Sequence, residues 1–103
     1  MSIQTVNPNT NKVVKTFDEM SEKAVDAAVA QAESAYTHWR KTTYEQRAVV
    51  LHKVASLMRE KKEQLAALIT LEMGKLFAQA EGEVILSADI IDYYAMHAKK
   101  FLG

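Results

Sequence analysis

Hydrophobic and polar positions follow two different periods along the chain. Between residues 3 and 17, two short apolar-containing runs flank a polar loop. Ile3 to Val6 leads into Asn7-Pro8-Asn9-Thr10-Asn11, and Lys12-Val13-Val14-Lys15-Thr16-Phe17 follows. Pro fixes φ and Asn tolerates the left-handed region, so this loop reads as a turn between two strands. A lone two-stranded hairpin is marginal in water, and this one is expected to lie on something larger.

From Ser21 onward the period becomes helical. Ser21 is a good N-cap, with Glu22 near the positive end of the helix. Val25, Ala28, Val29, Ala32, Tyr36 and Trp39 make one apolar stripe, while Asp26, Gln31 and Glu33 take the other side. A second helix opens with Thr43-Tyr44-Glu45-Gln46, the pattern of a capping box. Leu51, Val54, Ala55 and Met58 form its core stripe, widened by Val50 and Leu57. Arg59 to Glu63 is a charged stretch of mixed sign, which reads as a solvated helix junction rather than a phosphate patch. A third helix carries Leu65, Leu68, Ile69 and Glu72 and is expected to stop at Gly74 in a left-handed cap.

A fourth helix runs from Leu76 towards Leu102, about 40 Å at 1.5 Å per residue. Its principal stripe is Phe77, Ala80, Val84, Ala88, Ile91, Ala95, Ala98 and Leu102. Gly82 lies inside that pattern and is expected to mark a kink or a close packing contact. Ile85, Leu86, Ile90, Tyr93, Tyr94, Met96 and Phe101 fall off the stripe, so the helix is apolar on more than one face. Such a helix expects cover on several sides, which predicts self-association through residues 76–102. The fold class expected is mostly α, four helices with a short N-terminal β-hairpin: a hairpin over 1–18 and a helical segment over 19–103.

Composition narrows the function. The 103 residues, 11.6 kDa, fit one domain at most. Thirteen Lys and Arg balance thirteen Asp and Glu, which argues against a nucleic-acid or anionic-membrane partner. No cysteine is present, so this stretch holds neither a disulfide framework nor a thiol nucleophile. No signal-like segment or membrane-length apolar run is visible, and a cytoplasmic location is the default expectation.

Candidate chemistry is sparse. Gly74-Lys75 lacks the earlier glycine and following Ser or Thr of a phosphate loop. No Gly-x-Gly-x-x-Gly turn exists, the glycines being Gly74, Gly82 and Gly103. His38, His52 and His97 have no metal-ligand spacing. Glu81 and Glu83 lie on different helix faces, which does not make an acid/base dyad. Asp89 and Asp92 are i, i+3 neighbours able to share a cation or an arginine, with a solvated face as the plainer reading. Trp39, Tyr93 and Tyr94 read as core or interface anchors rather than a stacking platform. From the residues alone, no catalytic, cofactor-binding or metal-binding residue is assigned.

The succession of signals resembles the N-terminal end of the aldehyde dehydrogenase superfamily. Asn7-Pro8-Asn9-Thr10 with Val13-Val14 is similar to its opening strand pair. Val25 to Ala30 and Ala32 to Trp39 resemble its first helix, and Arg47 to Leu51 with Ala55 and Leu57 its second. Leu65 to Lys75, ending Glu72-Met73-Gly74-Lys75, is similar to the family's glutamate-x-glycine-lysine segment. Ala80, Glu81, Glu83 and Tyr93-Tyr94-Ala95 continue the match. Within the superfamily the bacterial succinate-semialdehyde branch is the nearest likeness.

That resemblance implies the N-terminal part of an α/β fold and an oxidation of aldehyde to carboxylic acid with NAD or NADP. In the family a cysteine attacks the aldehyde carbonyl, hydride passes to the cofactor, and glutamate-activated water releases the acid. The family's cysteine, glutamate and phosphate-cradling glycines lie beyond the region represented here. The expectation is therefore a catalytically inactive fragment of a cofactor-binding domain. It binds no cofactor by itself and has the remainder of its subunit as partner. Its residues take structural roles: Gly74 as helix stop, Trp39 and Tyr94 as packing anchors, Glu72 as cap or ion-pair partner. The competing reading is a self-standing helical interaction module.

Overall fold

The computed structural model describes residues 2–103. Strands β1 (Ile3–Asn7) and β2 (Lys12–Phe17) form an antiparallel hairpin, followed by helices α1 (Glu22–Trp39), α2 (Tyr44–Glu60), α3 (Lys62–Met73) and α4 (Phe77–Leu102). Among the described residues no helix is long and apolar enough to cross a membrane.

Local chemistry sets each boundary. In the hairpin loop, Asn7 Oδ1 accepts from the Asn9 N–H at 2.9 Å, and Asn11 takes φ 57°. Those are the two properties for which Asn is used in turns. Thr5 pairs with Lys15 but Val6 with Val13, so Val14 bulges from β2 and bends the ribbon. Ser21 Oγ caps α1 by accepting from Ala24 N–H at 3.1 Å. The capping box of α2 is complete: Gln46 N–H donates to Thr43 Oγ1 at 3.1 Å, and Thr43 N–H to Gln46 Oε1 at 2.9 Å. The charged junction is a single residue, Lys61, at φ −97° and ψ 18° between α2 and α3.

Gly74 ends α3 in the left-handed region, φ 73°, its N–H donating to Thr70 O at 2.9 Å. The same glycine seats the hairpin. A Cβ added there would meet Pro8 Cγ at 3.0 Å, so the loop rests on a helix stop that lacks a side chain. The hairpin thus lies on something larger, as its marginal size demands, with β1 against α3.

Helix α4 is the centre of the molecule, packing on α2 and α3. The core between them consists of small side chains: Ala55, Ala66, Ala80, Val84, Ala88 and Ala95. Among the described residues no large side chain is fully buried. The α4 stripe is buried at its middle, while Phe77 and Leu102 at its ends are exposed. On α2 only Ala55 is buried; Leu51, Val54 and Leu57 border solvent. Helix α1 has no buried residue. Its apolar stripe is real, but among the described residues nothing buries it. The radius of gyration is 17.9 Å, against ~13 Å for a compact domain of this length. Gly82 makes no close contact, since a Cβ there would meet nothing within 4 Å. The packing contact expected at that glycine is absent within the chain.

Candidate functional site

Charged and aromatic side chains gather at three places, each where helices meet. The first is the outer seam of α2 and α4. His52 and Arg59 are two turns apart on α2, and Asp89 and Asp92 one turn apart on α4. Arg59 Nη2 donates to Asp89 Oδ1 and to Asp92 Oδ2, both at 2.7 Å. His52 Nδ1 donates to the remaining Asp92 oxygen at 2.6 Å. The two aspartates therefore share an arginine, the more specific of the two readings their spacing allowed. Hydrogen bonds from His52 and then Arg59 hold the Asp92 carboxyl below its ordinary range. Asp89 and then Asp92 raise Arg59. A carboxylate with both oxygens engaged and a lowered pKa is a weak proton acceptor, so this cluster joins helices rather than moving protons. Further along the seam Lys99 donates to Glu45 at 2.6 Å, which lowers the glutamate and raises the lysine.

The second place is the corner between α1 and α2. Arg47 Nε donates to Thr42 Oγ1 at 2.8 Å, and Nη2 donates to Trp39 O at 3.1 Å. Its guanidinium also lies 5.6 Å from the Trp39 ring centre and 6.0 Å from that of Tyr44. Arg47 thus ties the last turn of α1 to the first turns of α2. The sequence singled out Trp39 here, yet Trp39 is 44% exposed; it serves the corner through Arg47 and through its carbonyl, which also accepts from the Thr42 hydroxyl at 2.6 Å. Beside it runs an open groove lined by Ala32, Ala35, Tyr36, His38 and Trp39.

The third place is the cleft between the hairpin loop, the end of α3 and the start of α4, lined by Asn7, Asn9, Thr70, Gly74, Lys75 and Phe77. Lys75 bonds Glu83 at 2.6 Å, and Glu81 pairs with Lys62 at 3.4 Å. The two glutamates face different lysines and do not act as a pair. Gly74 is the one glycine here with positive φ, and Pro8 fills its open side, so the residues do not fit a pyrophosphate cradle.

The remaining candidates are dispersed. His38 Nδ1 lies 3.2 Å from Ser34 O, and His97 Nδ1 donates to Tyr93 O at 2.7 Å. Among the described residues no three His, Asp or Glu groups converge as metal ligands. Glu72 takes no part in capping α3. Tyr94, expected to anchor packing, is 57% exposed. Sequence reasoning missed the Arg47 corner and the Lys99–Glu45 pair. Thr42 followed by Arg47 was the only local signal for the former.

Comparison with known proteins adds what the geometry leaves open. A family model, Aldehyde dehydrogenase family, matches residues 1–103. The chain is 43% identical over 98 residues to the succinate-semialdehyde dehydrogenase [NADP(+)] of Deinococcus radiodurans, covering 95% of this chain and 20% of that protein. It is 46% identical over 104 residues to succinate-semialdehyde dehydrogenase [NADP(+)] 1 of Mycobacterium ulcerans, covering all of this chain and 23% of that one. The crystal structure of succinic semialdehyde dehydrogenase from Streptococcus pyogenes with NADP+ superposes at a TM-score of 0.90 with 44% identity, over 97% of this chain and 22% of that one. The chain spans about a fifth of the length of the curated relatives it matches, at their N-terminal end.

Proposed function

The chain belongs to the aldehyde dehydrogenase family, and from that premise we propose that it forms the N-terminal segment of an NADP-dependent succinate-semialdehyde dehydrogenase. The reaction of that whole enzyme is oxidation of the aldehyde to the carboxylic acid, with NAD as the alternative cofactor. The hairpin of residues 1–18 and the helices of 19–103 together make part of its cofactor-binding domain. This segment holds no catalytic, cofactor-binding or metal-binding residue and is silent by itself. Its working partner is the remainder of the subunit, and its location is cytoplasmic. One observation carries the reading: 97% of the chain superposes on about a fifth of the Streptococcus pyogenes structure at 44% identity, yet it leaves Val25, Val29, Tyr36, Trp39, Leu86, Ile90, Tyr93 and Tyr94 uncovered.

Without the remainder, the chain self-associates through α4, because exposed apolar patches of this kind mark interaction surfaces. A self-standing interaction module is the weaker alternative, since such a module needs large side chains buried in its own core.

The test is a transplant. This chain replaces the matching N-terminal segment of the Streptococcus pyogenes enzyme, and reduced cofactor is followed by absorbance with succinate semialdehyde and NADP. The chimera turns over, and the 103-residue chain alone gives no signal above a blank and no calorimetric NADP isotherm to millimolar concentration. Turnover by the repurified chain alone, or a folded chimera without activity, would refute the proposal.

A further inference from the structure

We propose that α4 is crossed at Gly82 by an apolar segment from the remainder of the subunit, whose backbone seats against the glycine between Ala78 and Leu86. This rests on the N-terminal-segment reading and adds to it the point of closest approach. Gly82 sits in the second turn of α4, and glycine is the poorest helix former after proline. Two uses within the chain would justify it there: a break in the helix or a close contact. Helix α4 runs unbroken from Phe77 to Leu102, and a Cβ on Gly82 would meet nothing within 4 Å. Gly74 shows the contrast. It is left-handed, and its open side is filled by Pro8 at 3.0 Å. Gly82 serves neither purpose among the described residues, so its use lies outside them.

The surroundings of Gly82 suit a backbone. At 100° per residue it faces about 160° away from the buried Ala80 and Val84, while Ala78 and Leu86 lie within about 40° of it. Ala78 and Gly82 are both exposed and leave a shallow floor, and Leu86, 59% exposed, forms a wall. A glycine is the residue that lets another backbone come this close. A helix crossing here approaches to ~8 Å between axes, the short end of the range that side-chain size sets. The floor is also neutral. The flanking carboxylates are already paired, Glu81 with Lys62 at 3.4 Å and Glu83 with Lys75 at 2.6 Å. A basic segment would find no free partner in them, which leaves an apolar one. The same two pairs fasten α4 near both ends of α3, so the stretch around the glycine is held in place before anything docks. The chain is 20–23% of the matched relatives, so most of the subunit lies outside it. A segment joined to the same chain is presented at a high effective concentration that a second copy has to match.

Enlarging Gly82 has opposite effects in the chain and in the assembled subunit. In the 103-residue chain, Gly82→Ala raises the melting temperature by up to ~4–8 °C, since only helix propensity changes, and Gly82→Leu does not lower it. In the Streptococcus pyogenes chimera the sign reverses. There Gly82→Ala lowers the melting temperature by roughly 2–10 °C, and Gly82→Leu lowers it further or prevents assembly. Circular dichroism reads both series. A chimera stabilised by Gly82→Ala as the chain is, and still folded with Gly82→Leu, overturns the crossing and leaves the N-terminal-segment reading intact. A chain destabilised by Gly82→Ala also overturns it, because a second copy then fills the notch. Folding decides here, not turnover: a folded chimera without activity refutes the N-terminal-segment reading, while its two Gly82 variants still report on the crossing. A parent chimera that does not fold overturns both.

Discussion

Replacing glycine by alanine should have opposite signs at Gly74 and Gly82. At Gly74 the backbone is left-handed, φ 73°, which costs an L side chain ~1–2 kcal/mol. The new Cβ would also sit 3.0 Å from Pro8 Cγ, and relieving such overpacking costs ~1–3 kcal/mol. Against this, alanine loses less freedom than glycine on folding, worth ~0.4–1 kcal/mol. The net for Gly74→Ala is a loss of ~1–5 kcal/mol. For a domain of this size each kcal/mol moves the melting temperature by ~4–8 °C, so the middle of that range corresponds to a drop of roughly 10–25 °C by circular dichroism. At Gly82 the helix is regular and a Cβ meets nothing within 4 Å. Gly82→Ala therefore gains up to ~1 kcal/mol of helix propensity. A Pro8→Ala background separates the two parts of the Gly74 effect. Alanine has no Cγ, so the steric part disappears there and the left-handed part remains. Urea titrations of the four proteins give the cycle. A Gly74→Ala chain as stable as the parent, or a Gly82→Ala chain that loses more than ~1 kcal/mol, would show that the helix stop and its proline seat are wrongly understood.

Two other outcomes can be stated. Stability should be flat near neutrality with a loss at each extreme. Asp92 and Glu45 have lowered pKa values, so their contribution is present above the ordinary carboxylate range near about pH 4 and is lost as pH falls through their folded values. Lys99 has a raised pKa, so its contribution is complete below about 10.4 and is lost as pH rises through its folded value. Melting temperature against pH checks both limbs, and Asp92→Asn should flatten the acid one; an unchanged acid limb in that variant would count against the α2–α4 cluster. Separately, Arg47→Ala should release α1. Amide exchange over residues 22–39 speeds up while that of α4 does not, and the emission of the single tryptophan, Trp39, shifts to the red. Arg47→Lys should rescue little, because one ammonium cannot replace two N–H bonds and a planar stack; full protection of α1 in both variants would refute the corner's role.

What could be read from the sequence is what depends on neighbours along the chain. The Asn-rich turn, the Ser21 cap, the Thr43–Gln46 box and the Gly74 stop each need only residues a few positions apart. Each took its expected geometry. What escaped depends on distant residues meeting. Nothing local tells Arg59 to reach Asp89 and Asp92, Lys99 to reach Glu45, or Pro8 to settle on Gly74. Trp39 and Tyr94 show a second kind of limit. Hydrophobic spacing identifies side chains that require cover without saying that the same chain supplies it. The close contact expected as one of two readings at Gly82 is missing for the same reason: a glycine inside a helix marks a place that something can approach, and nothing among the described residues does. The candidate site was legible mainly as fragments: Asp89 and Asp92 were recognisable as neighbours able to share an arginine, while nothing local named Arg59 as that arginine.

The alanine-built core between α2, α3 and α4 inverts the usual rule of mutational drift. In a core of leucines, substitutions are punished for being too small, because they leave cavities. Here Ala55, Ala66, Ala80 and Ala88 have no exposed surface and little to lose by shrinking beyond the ~1 kcal/mol of helix propensity that glycine forfeits. Enlargement is the forbidden direction, since any added methylene must push two helices apart. Over evolutionary time such a core admits changes in one direction of size only. The three helices are held at fixed spacing by a ceiling on volume rather than by the strength of what they bury.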